Sequence, residues 1–188
     1  MSPFRRVTTE TLRAEAWANG AGTTTVLASG PSPDRWRWRL SIASIDRDAE
    51  FSALPGVRRQ FAPLDAPVAL RFPDGRESCP LRLAVARFDG DQPPHARLVD
   101  GPTRAFNLML RDDAEGELMA RPLNGAMLLP TVDARWFLYV LAGQAELRAD
   151  DETLHAAQGD AAWIEPGGRL RIEGGGEIVL VRLDAYVS

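Results

Sequence analysis

The chain has 188 residues, 45% of them hydrophobic, with a formal net charge of -4 and a pI near 5.3. This composition is typical of a globular domain and excludes wholesale disorder. No basic block is present, which disfavours a nucleic-acid partner, because phosphate binding needs concentrated positive charge.

Residue types that often carry chemistry are scarce. All 22 basic residues are arginine, so the sequence excludes reactions that require a lysine, such as Schiff-base formation. Cys79 is the single cysteine, which excludes an intrachain disulfide and a thiolate metal cluster. No apolar run approaches the roughly 20 residues that span a bilayer, and the start lacks the apolar stretch of a secretory signal. We therefore expect a cytoplasmic protein without a membrane partner.

Short β-like runs, separated by Gly, Pro, Asp and Asn, follow one another along the chain. A helix is predicted around residues 9–16, and nothing after it keeps a period of 3.6 residues. Strands at this spacing, without alternating helices, indicate an all-β sandwich or barrel. The predicted strands are 23–27, 36–45, 68–72, 81–88, 105–110, 125–129, 136–141, 145–149, 161–164, 169–172 and 177–183.

The C-terminal third shows the clearest topology. An apolar strand over 136–141 leads to Gly143 and an alternating return strand over 145–148, followed by Gly159-Asp160, a short apolar strand and the turn Glu165-Pro166-Gly167. This order resembles the repeating unit of the cupin barrel, in which two sheets enclose an interior wide enough for one small ligand. An ordinary antiparallel sandwich is the alternative.

The histidines do not match the metal motifs of cupins. The first cupin motif carries a His-x-His pair before its glycine and the second carries a His after the Pro-Gly turn, but no His precedes Gly143, and Arg169 follows Gly167-Gly168. His155, between strands, and His95, in a loop, are both predicted to lie at the surface. Non-heme iron is often held by two histidines and a carboxylate, and the chain has enough of these residues for such a site. We nevertheless expect a barrel without metal or cofactor.

The N-terminal half contains the most distinctive stretch, Trp-Ala-Asn-Gly-Ala-Gly-Thr-Thr at residues 17–24. Four further segments follow at 38–43, 51–59, 88–91 and 101–109. In this order they resemble the motifs of the HutD/Ves family, which open with Trp-x-Asn-Gly-x-Gly and continue with Trp-Arg-Leu-Ser-Ile-Ala, Phe-Ser-x-Phe-Pro-Gly with a closing Arg, Phe-x-Gly-Asp and Asp-Phe-Asn-x-Met. The matches cover most of residues 17–111.

The resemblance implies a fold and a role. The fold is a bicupin, two fused cupin-type barrels, over residues 1–188 with approximate lobes 1–115 and 116–188. The role is the binding of an acidic intermediate of histidine degradation, such as urocanate or a formyl or formimino compound, to moderate that pathway. Two positions depart from the family pattern, since Ala105 stands where Asp is frequent and Asp112 where a second Arg is frequent, so charge selectivity here can differ.

The motif residues can form a site for a small acid. The glycines of the first motif allow close approach of a ligand, and Asn19 offers a donor and an acceptor, although Asn19 bonding its own backbone in a tight turn is the alternative. Strand alternation places Asn107, Met109 and Arg111 on one face, and it places Arg39 and Ser41 on one face of the predicted strand 36–45. The candidate ligand-binding residues are Trp17, Asn19, Gly20, Gly22, Thr23, Thr24, Arg39, Ser41, Arg59, Asn107, Met109 and Arg111.

Arg59 is the best single anchor for a carboxylate, because a guanidinium has a planar donor fork that binds a carboxylate through two hydrogen bonds. The alternative is a surface ion pair worth only about 0–1 kcal/mol. The resemblance to the HutD/Ves family favours the role of Arg59 as an anchor, and geometry alone does not.

Three functions are weighed from these residues. The first is a non-catalytic binder of a small acidic metabolite, for which a homodimer is allowed. The second is a metal-independent isomerase or hydrolase, which needs a positioned acid or base. The third is a metal-dependent dioxygenase, which stoichiometric iron in the purified protein would reveal. The carboxylates near the motifs are Glu10, Glu15, Asp46, Glu50 and Asp91.

Overall fold

A computed structural model describes residues 2–184, and these residues form an all-β protein in which every strand pairing is antiparallel. The predicted all-β class is confirmed. The sixteen strands of the described residues are β1 Phe4–Val7, β2 Ala14–Ala16, β3 Gly22–Gly30, β4 Trp38–Ile45, β5 Ala49–Glu50, β6 Val57–Pro63, β7 Val68–Arg71, β8 Glu77–Ser78, β9 Ala86–Asp89, β10 His95–Leu98, β11 Thr103–Arg111, β12 Gly116–Pro130, β13 Ala134–Ala149, β14 Glu152–Ala157, β15 Ala161–Ile164 and β16 Arg169–Asp184.

The described residues divide into two compact units. The N-terminal unit holds Leu12–Ala114, and the C-terminal unit holds the described parts of Met1–Thr11 and Glu115–Ser188. The predicted lobes 1–115 and 116–188 differ from these units in the first eleven residues, because β1 pairs with β15 in the second unit. Residue 1 and residues 185–188, which the predicted lobes include, lie outside the described residues.

The N-terminal unit contains two sheets. Six strands follow the order β2-β3-β4-β11-β6-β9, and four strands follow the order β5-β10-β7-β8. Their apolar faces meet in one core that includes Ile45, Phe61, Val68, Leu70 and Phe88, all less than a tenth exposed. Burial of each such side chain stabilises the fold by about 1.5–3 kcal/mol. Polar residues of the six-stranded sheet lie outside this core and are available to line a site.

The C-terminal unit is built on three long strands. Its sheet follows the order β1-β15-β13-β16-β12, with β14 paired to β13 as a return strand. Strands β12 and β13 both pair with β16 over most of their length. The core includes the fully buried Leu138, Val140, Leu147, Ile172 and Leu180. Alternation of these apolar residues along each strand places them on the inner face.

The predicted helix around residues 9–16 is wrong. Residues 14–16 form β2 and pair with β3 through Glu15 and Thr24. The turn after β2 explains the difference: Gly20 has φ +64°, its N–H donates to the Trp17 carbonyl, and Trp17 N–H donates to the Gly22 carbonyl at 2.9 Å. A tight turn of this kind returns the chain as a hairpin, and strand pairing then overrides helix propensity.

Several strand boundaries also differ from the prediction. The predicted strand 81–88 begins only at Ala86, because Leu83 has φ +66° in a turn. Strands β1, β5, β6, β8, β10 and β14 were not predicted. The predicted strands 136–141 and 145–149 form the single strand β13, which passes through Gly143 at φ +76°.

A buried threonine and an ion pair hold the segment between β6 and β7 against β11. Arg104 donates from Nε and Nη2 to the Asp65 carboxylate at 2.9 and 2.8 Å, and its backbone N–H donates to Asp65 Oδ2 at 2.9 Å. Thr103 Oγ1 accepts from the N–H of Ala66 at 2.9 Å. The hydrogen bonds from Arg104 lower the pKa of the Asp65 carboxyl.

We expect Asp65→Asn to lower the free energy of unfolding by about 1 kcal/mol near neutral pH, because the pair is partly exposed and solvent screens it. A carboxyl whose pKa is lower in the folded state than in the unfolded state stabilises the folded state at pH values above its unfolded pKa. This stabilisation is lost as the pH falls through the folded pKa. Urea unfolding at about pH 7 and about pH 3 measures the difference, which should shrink at the lower pH. An equal difference at both pH values would contradict this account.

The described residues contain no helix that is long and apolar enough to cross a membrane.

Candidate functional site

The six-stranded sheet of the N-terminal unit presents polar side chains in rows on one face. Directly opposed residues of paired strands point to the same side of a sheet. Strands β4, β11 and β6 are neighbours, and residues that lie opposite one another on them face a cavity of about 400 Å³. The rows are Arg39–Met109–Arg59, Ser41–Asn107–Phe61 and, across β3 and β4, Thr24–Ala43.

Trp17 forms part of the wall. Its indole Nε1 donates to Thr24 Oγ1 at 2.8 Å, which fixes the ring over the end of the sheet. The ring also meets Phe51 edge to face, with centroids 6.2 Å apart. Trp17 is half-buried, so one side of the ring remains available to a ligand.

The glycine-rich turn before β3 serves mainly to build the hairpin. Asn19 Oδ1 accepts from the N–H of Ala21 at 3.0 Å, which is the tight-turn alternative considered for this side chain. A Cβ at Gly22 would lie 2.1 Å from the Ser44 carbonyl oxygen, so strand approach explains this glycine. Asn19 lines the cavity, whereas Gly20, Gly22 and Thr23 do not.

Arg59 is the most constrained group of the site. The side chain is 7% exposed, and its guanidinium lies between the rings of Phe51 and Phe88, at 5.0 and 5.2 Å from the ring centroids. Arg59 Nη2 donates to Asn107 Oδ1 at 3.2 Å. Within the described part of the chain, Nε is buried without a hydrogen-bond partner and no carboxylate pairs with the guanidinium.

Burial lowers the pKa of Arg59 to about 10. The guanidinium is therefore still a cation near neutral pH, although it has left water and gained no opposite charge. A buried cation without a partner is costly. The cavity thus holds a positive charge that an anion from solution can compensate.

Arg39 lines the same cavity two strands away, with Met109 between the two arginines. Arg39 is half-buried and makes no ion pair with any of residues 2–184. Arg111 behaves differently, because its guanidinium lies 3.7 Å from the centre of the Trp36 ring and it does not line the cavity. Of the predicted site residues, the structure brings Trp17, Asn19, Thr24, Arg39, Ser41, Arg59, Asn107 and Met109 to one cavity.

Several lining residues were not among the predicted ligand-binding residues. Phe61 was missed because strand β6 was not predicted, whereas Phe51 stood in a quoted motif and was not assigned a role. Glu15 and Glu50 were considered only as candidate acids or bases. The full additional set is Glu15, Ala16, Ala18, Ala43, Glu50, Phe51, Ser52, Leu54 and Phe61.

The cavity does not fit the iron arrangement of two histidines and a carboxylate. Neither histidine lines it; His95 begins β10 and is exposed, and His155 is exposed with Nδ1 3.3 Å from Glu146. Among residues 2–184, no group of three or more His, Cys, Asp and Glu is placed to hold a metal ion. Asp91 also lies off the cavity, where its carboxylate accepts from the N–H of Gly56 at 3.3 Å.

Comparison with known proteins gives consistent matches. A family model described as HutD matches residues 9–180. Protein Ves of Cronobacter sakazakii is 34% identical over 159 residues, covering 83% of this chain and 84% of that protein. An uncharacterized protein of Pseudomonas putida, named for the region 3′ of hutC, is 35% identical over 96 residues, half of each chain.

Solved structures show the same fold. A conserved protein of unknown function from Pseudomonas aeruginosa PAO1 has a TM-score of 0.88 and 26% identity, covering 98% of this chain and 100% of that chain. HutD from Pseudomonas fluorescens SBW25 has a TM-score of 0.80 and 22% identity, covering 96% of this chain and 98% of that chain.

Proposed function

The chain belongs to the HutD family, and from this membership we propose that it binds a small carboxylic acid in the cavity around Arg59 without converting it. The ligand class is an acidic intermediate of histidine degradation, such as urocanate or a formyl or formimino compound, and binding moderates that pathway. The name of the Pseudomonas putida relative, which refers to the region 3′ of hutC, supports the link to histidine utilisation. The two units support a bicupin arrangement.

The observation that carries this proposal is the buried guanidinium of Arg59, which has no carboxylate partner among residues 2–184. A carboxylate that reaches Nε would satisfy the unpartnered donor and supply the missing negative charge. Charge-assisted hydrogen bonds of this kind are about twice as strong as neutral ones, and low polarity around them strengthens the attraction. Asn107 holds Nη2 and so orients the guanidinium before the ligand arrives.

The remaining lining suits a small, partly apolar acid. A volume of about 400 Å³ lies within the range of small-molecule sites. Phe51, Phe61 and Met109 offer apolar contact to the body of the ligand, and Ser41 adds a hydroxyl. Sites of this composition combine apolar walls with a few polar groups that set orientation.

A metal-independent isomerase or hydrolase is the alternative. The observation in its favour is that Glu15 and Glu50 line the cavity and could act as acid or base. Both side chains are exposed, however, whereas burial is the usual means of tuning a catalytic carboxyl. Proton NMR of each candidate acid over hours with the protein distinguishes the two functions, because only an enzyme would produce new signals.

A thermal-shift screen with histidine, urocanate, formiminoglutamate, formate and unrelated acids, sugars and nucleotides tests the proposal. A ligand that binds only the folded state stabilises it by RT ln(1 + [L]/Kd), which is about 2.7 kcal/mol at a hundred times Kd. We expect at least one carboxylate related to histidine to raise the Tm by several degrees. Shifts produced only by sugars or nucleotides would contradict the proposed ligand class.

A further inference from the structure

The charged side chains of the cavity lie at different positions along its floor, which is the face of the six-stranded sheet that lines it. Arg39 and Arg59 share one row of the sheet. Glu15 pairs with Thr24, and Thr24 pairs with Ala43 of β4. Ala43 lies four residues from Arg39 along the same strand, which is about 13 Å. The arginine row and the Glu15 row are therefore at opposite ends of the floor. The side chain of Arg59 reaches into the middle row, where its Nη2 donates to Asn107 Oδ1, so a ligand has to span less than the distance between the rows.

Glu15 points to the cavity side of the sheet. Its partner Thr24 lines the cavity and accepts from Trp17, and directly opposed residues of an antiparallel pair share a face. Glu50 reaches the same cavity from the other sheet of the unit, where it pairs with His95. Within residues 2–184, neither carboxylate takes part in an ion pair or a side-chain hydrogen bond.

The row between the two ends is uncharged. Ser41 and Asn107 supply a hydroxyl and an amide there, and Phe61 supplies an apolar surface. Burial follows the same direction, because Arg59 and Asn107 are buried whereas Glu15 and Glu50 are exposed. The floor thus runs from a buried positive end, through a neutral middle, to the exposed carboxylate of Glu15, and Glu50 adds a second exposed carboxylate to the lining of the cavity.

We propose that the ligand of this cavity carries two groups, a carboxylate held at Arg59 and a cationic or N–H-donating nitrogen group held at Glu15 and Glu50. This inference rests on the proposed binding function and deepens it. A dianion would place its second charge against the two glutamates, which raises its dissociation constant. The opposite arrangement, in which Arg39 receives a second carboxylate, makes dicarboxylates the preferred ligands and is an outcome of the test.

Three probes of equal chain length separate these outcomes: pentanoate, 4-aminobutyrate and glutarate. They share one carboxylate and differ only in the far end, which is a methyl, an ammonium or a second carboxylate. Dissociation constants are measured by NMR titration for the unaltered protein, the double variant Glu15→Gln/Glu50→Gln, Arg59→Met, and the control Glu10→Gln, whose side chain is exposed and outside the cavity. The methyl probe corrects for apolar contact at the far end.

We expect the double variant to lower the ratio of 4-aminobutyrate affinity to pentanoate affinity by about two- to fivefold for each carboxylate removed, the range measured for exposed ion pairs. Glutarate should bind more weakly than 4-aminobutyrate to the unaltered protein and recover in the double variant. The control variant should leave every ratio unchanged.

Two failures can be told apart. In the first failure, the probes bind and Arg59→Met abolishes their binding, but the double variant leaves the affinity ratio unchanged, or glutarate binds best. The nitrogen-group inference is then wrong, and the proposed function stands. If no carboxylate binds, or all bind equally well to Arg59→Met, the proposed function is wrong and this inference with it.

Discussion

Arg59→Met is expected to abolish carboxylate binding and, at the same time, to make the free protein more stable. The loss of affinity should be about 30-fold or more, because truncating one member of a buried charge pair costs about 2–5 kcal/mol. Methionine keeps an unbranched side chain between Phe51 and Phe88, where a thioether makes favourable contacts with rings. The variant should therefore fold.

The gain in stability has a separate physical reason. The pKa of Arg59 is lowered by burial, so the folded state holds its cation less favourably than the unfolded chain does, and the penalty is present at every pH well below about 10. Removing the cation should raise the free energy of unfolding by about 1 kcal/mol, because the loss of the hydrogen bond to the buried Asn107 offsets part of the relieved cost of burying a charge. In a chain of this length, each kcal/mol raises the Tm by about 2–4 °C.

Calorimetric titration of the carboxylates identified in the thermal screen measures binding, and urea unfolding without ligand measures stability. Arg121→Met is the matched control, because Arg121 is an exposed arginine of the edge strand β12. It should change neither quantity by more than a few tenths of a kcal/mol. A variant Arg59→Met that is less stable and binds carboxylates as before would show that Arg59 is a structural residue.

Gly143→Ala is expected to lower the free energy of unfolding by about 3–5 kcal/mol. Gly143 has φ +76°, which is unfavourable for any residue with a Cβ. A Cβ at this position would also lie 2.1 Å from the Gly175 carbonyl oxygen and 2.9 Å from the Gly176 Cα. Both are backbone atoms of the neighbouring strand β16, so neither can move without disturbing the pairing with β13.

Gly159→Ala is the matched control for this prediction. Gly159 has φ +90°, but no atom lies within 4 Å of a Cβ added there. The control should show only the conformational cost of about 1 kcal/mol. Urea unfolding of both variants isolates the effect of the close approach, and equal destabilisation by the two would rule out a clash with β16.

The fold and part of the site were predictable because strands impose a period of two residues. The alternation around Asn107 and Met109 and around Arg39 and Ser41 identified the face of each strand that lines the cavity. The same reasoning placed Arg111 on that face, but Arg111 lies near the end of β11 and stacks on Trp36 instead. Alternation predicts which side of a strand a residue faces, but it does not predict how far the cavity extends along the strand.

The tight turn at Asn19 was among the alternatives that the sequence left open, whereas the strand before it was wrongly predicted to be a helix. Ala14, Glu15 and Ala16 favour a helix by local propensity, and the pairing of Glu15 with Thr24 overrode that preference. Strand β6 escaped prediction for a related reason, since Val57–Pro63 carries two arginines and a glutamine and does not have the composition of a buried strand. Between its two partner strands, Arg59 and Gln60 are buried and Arg58 is half-buried.

The sequence by itself determined the all-β class, the strand faces and the supply of guanidinium, amide and hydroxyl groups, because these follow from residue identity and a two-residue period. Only the tertiary structure decided that Arg59 is buried between two rings with no carboxylate of the described residues beside it, and that Glu15 and Glu50 face the same cavity. Both facts depend on the register between strands far apart in the chain. Register sets which charges meet, and therefore which groups remain for a ligand.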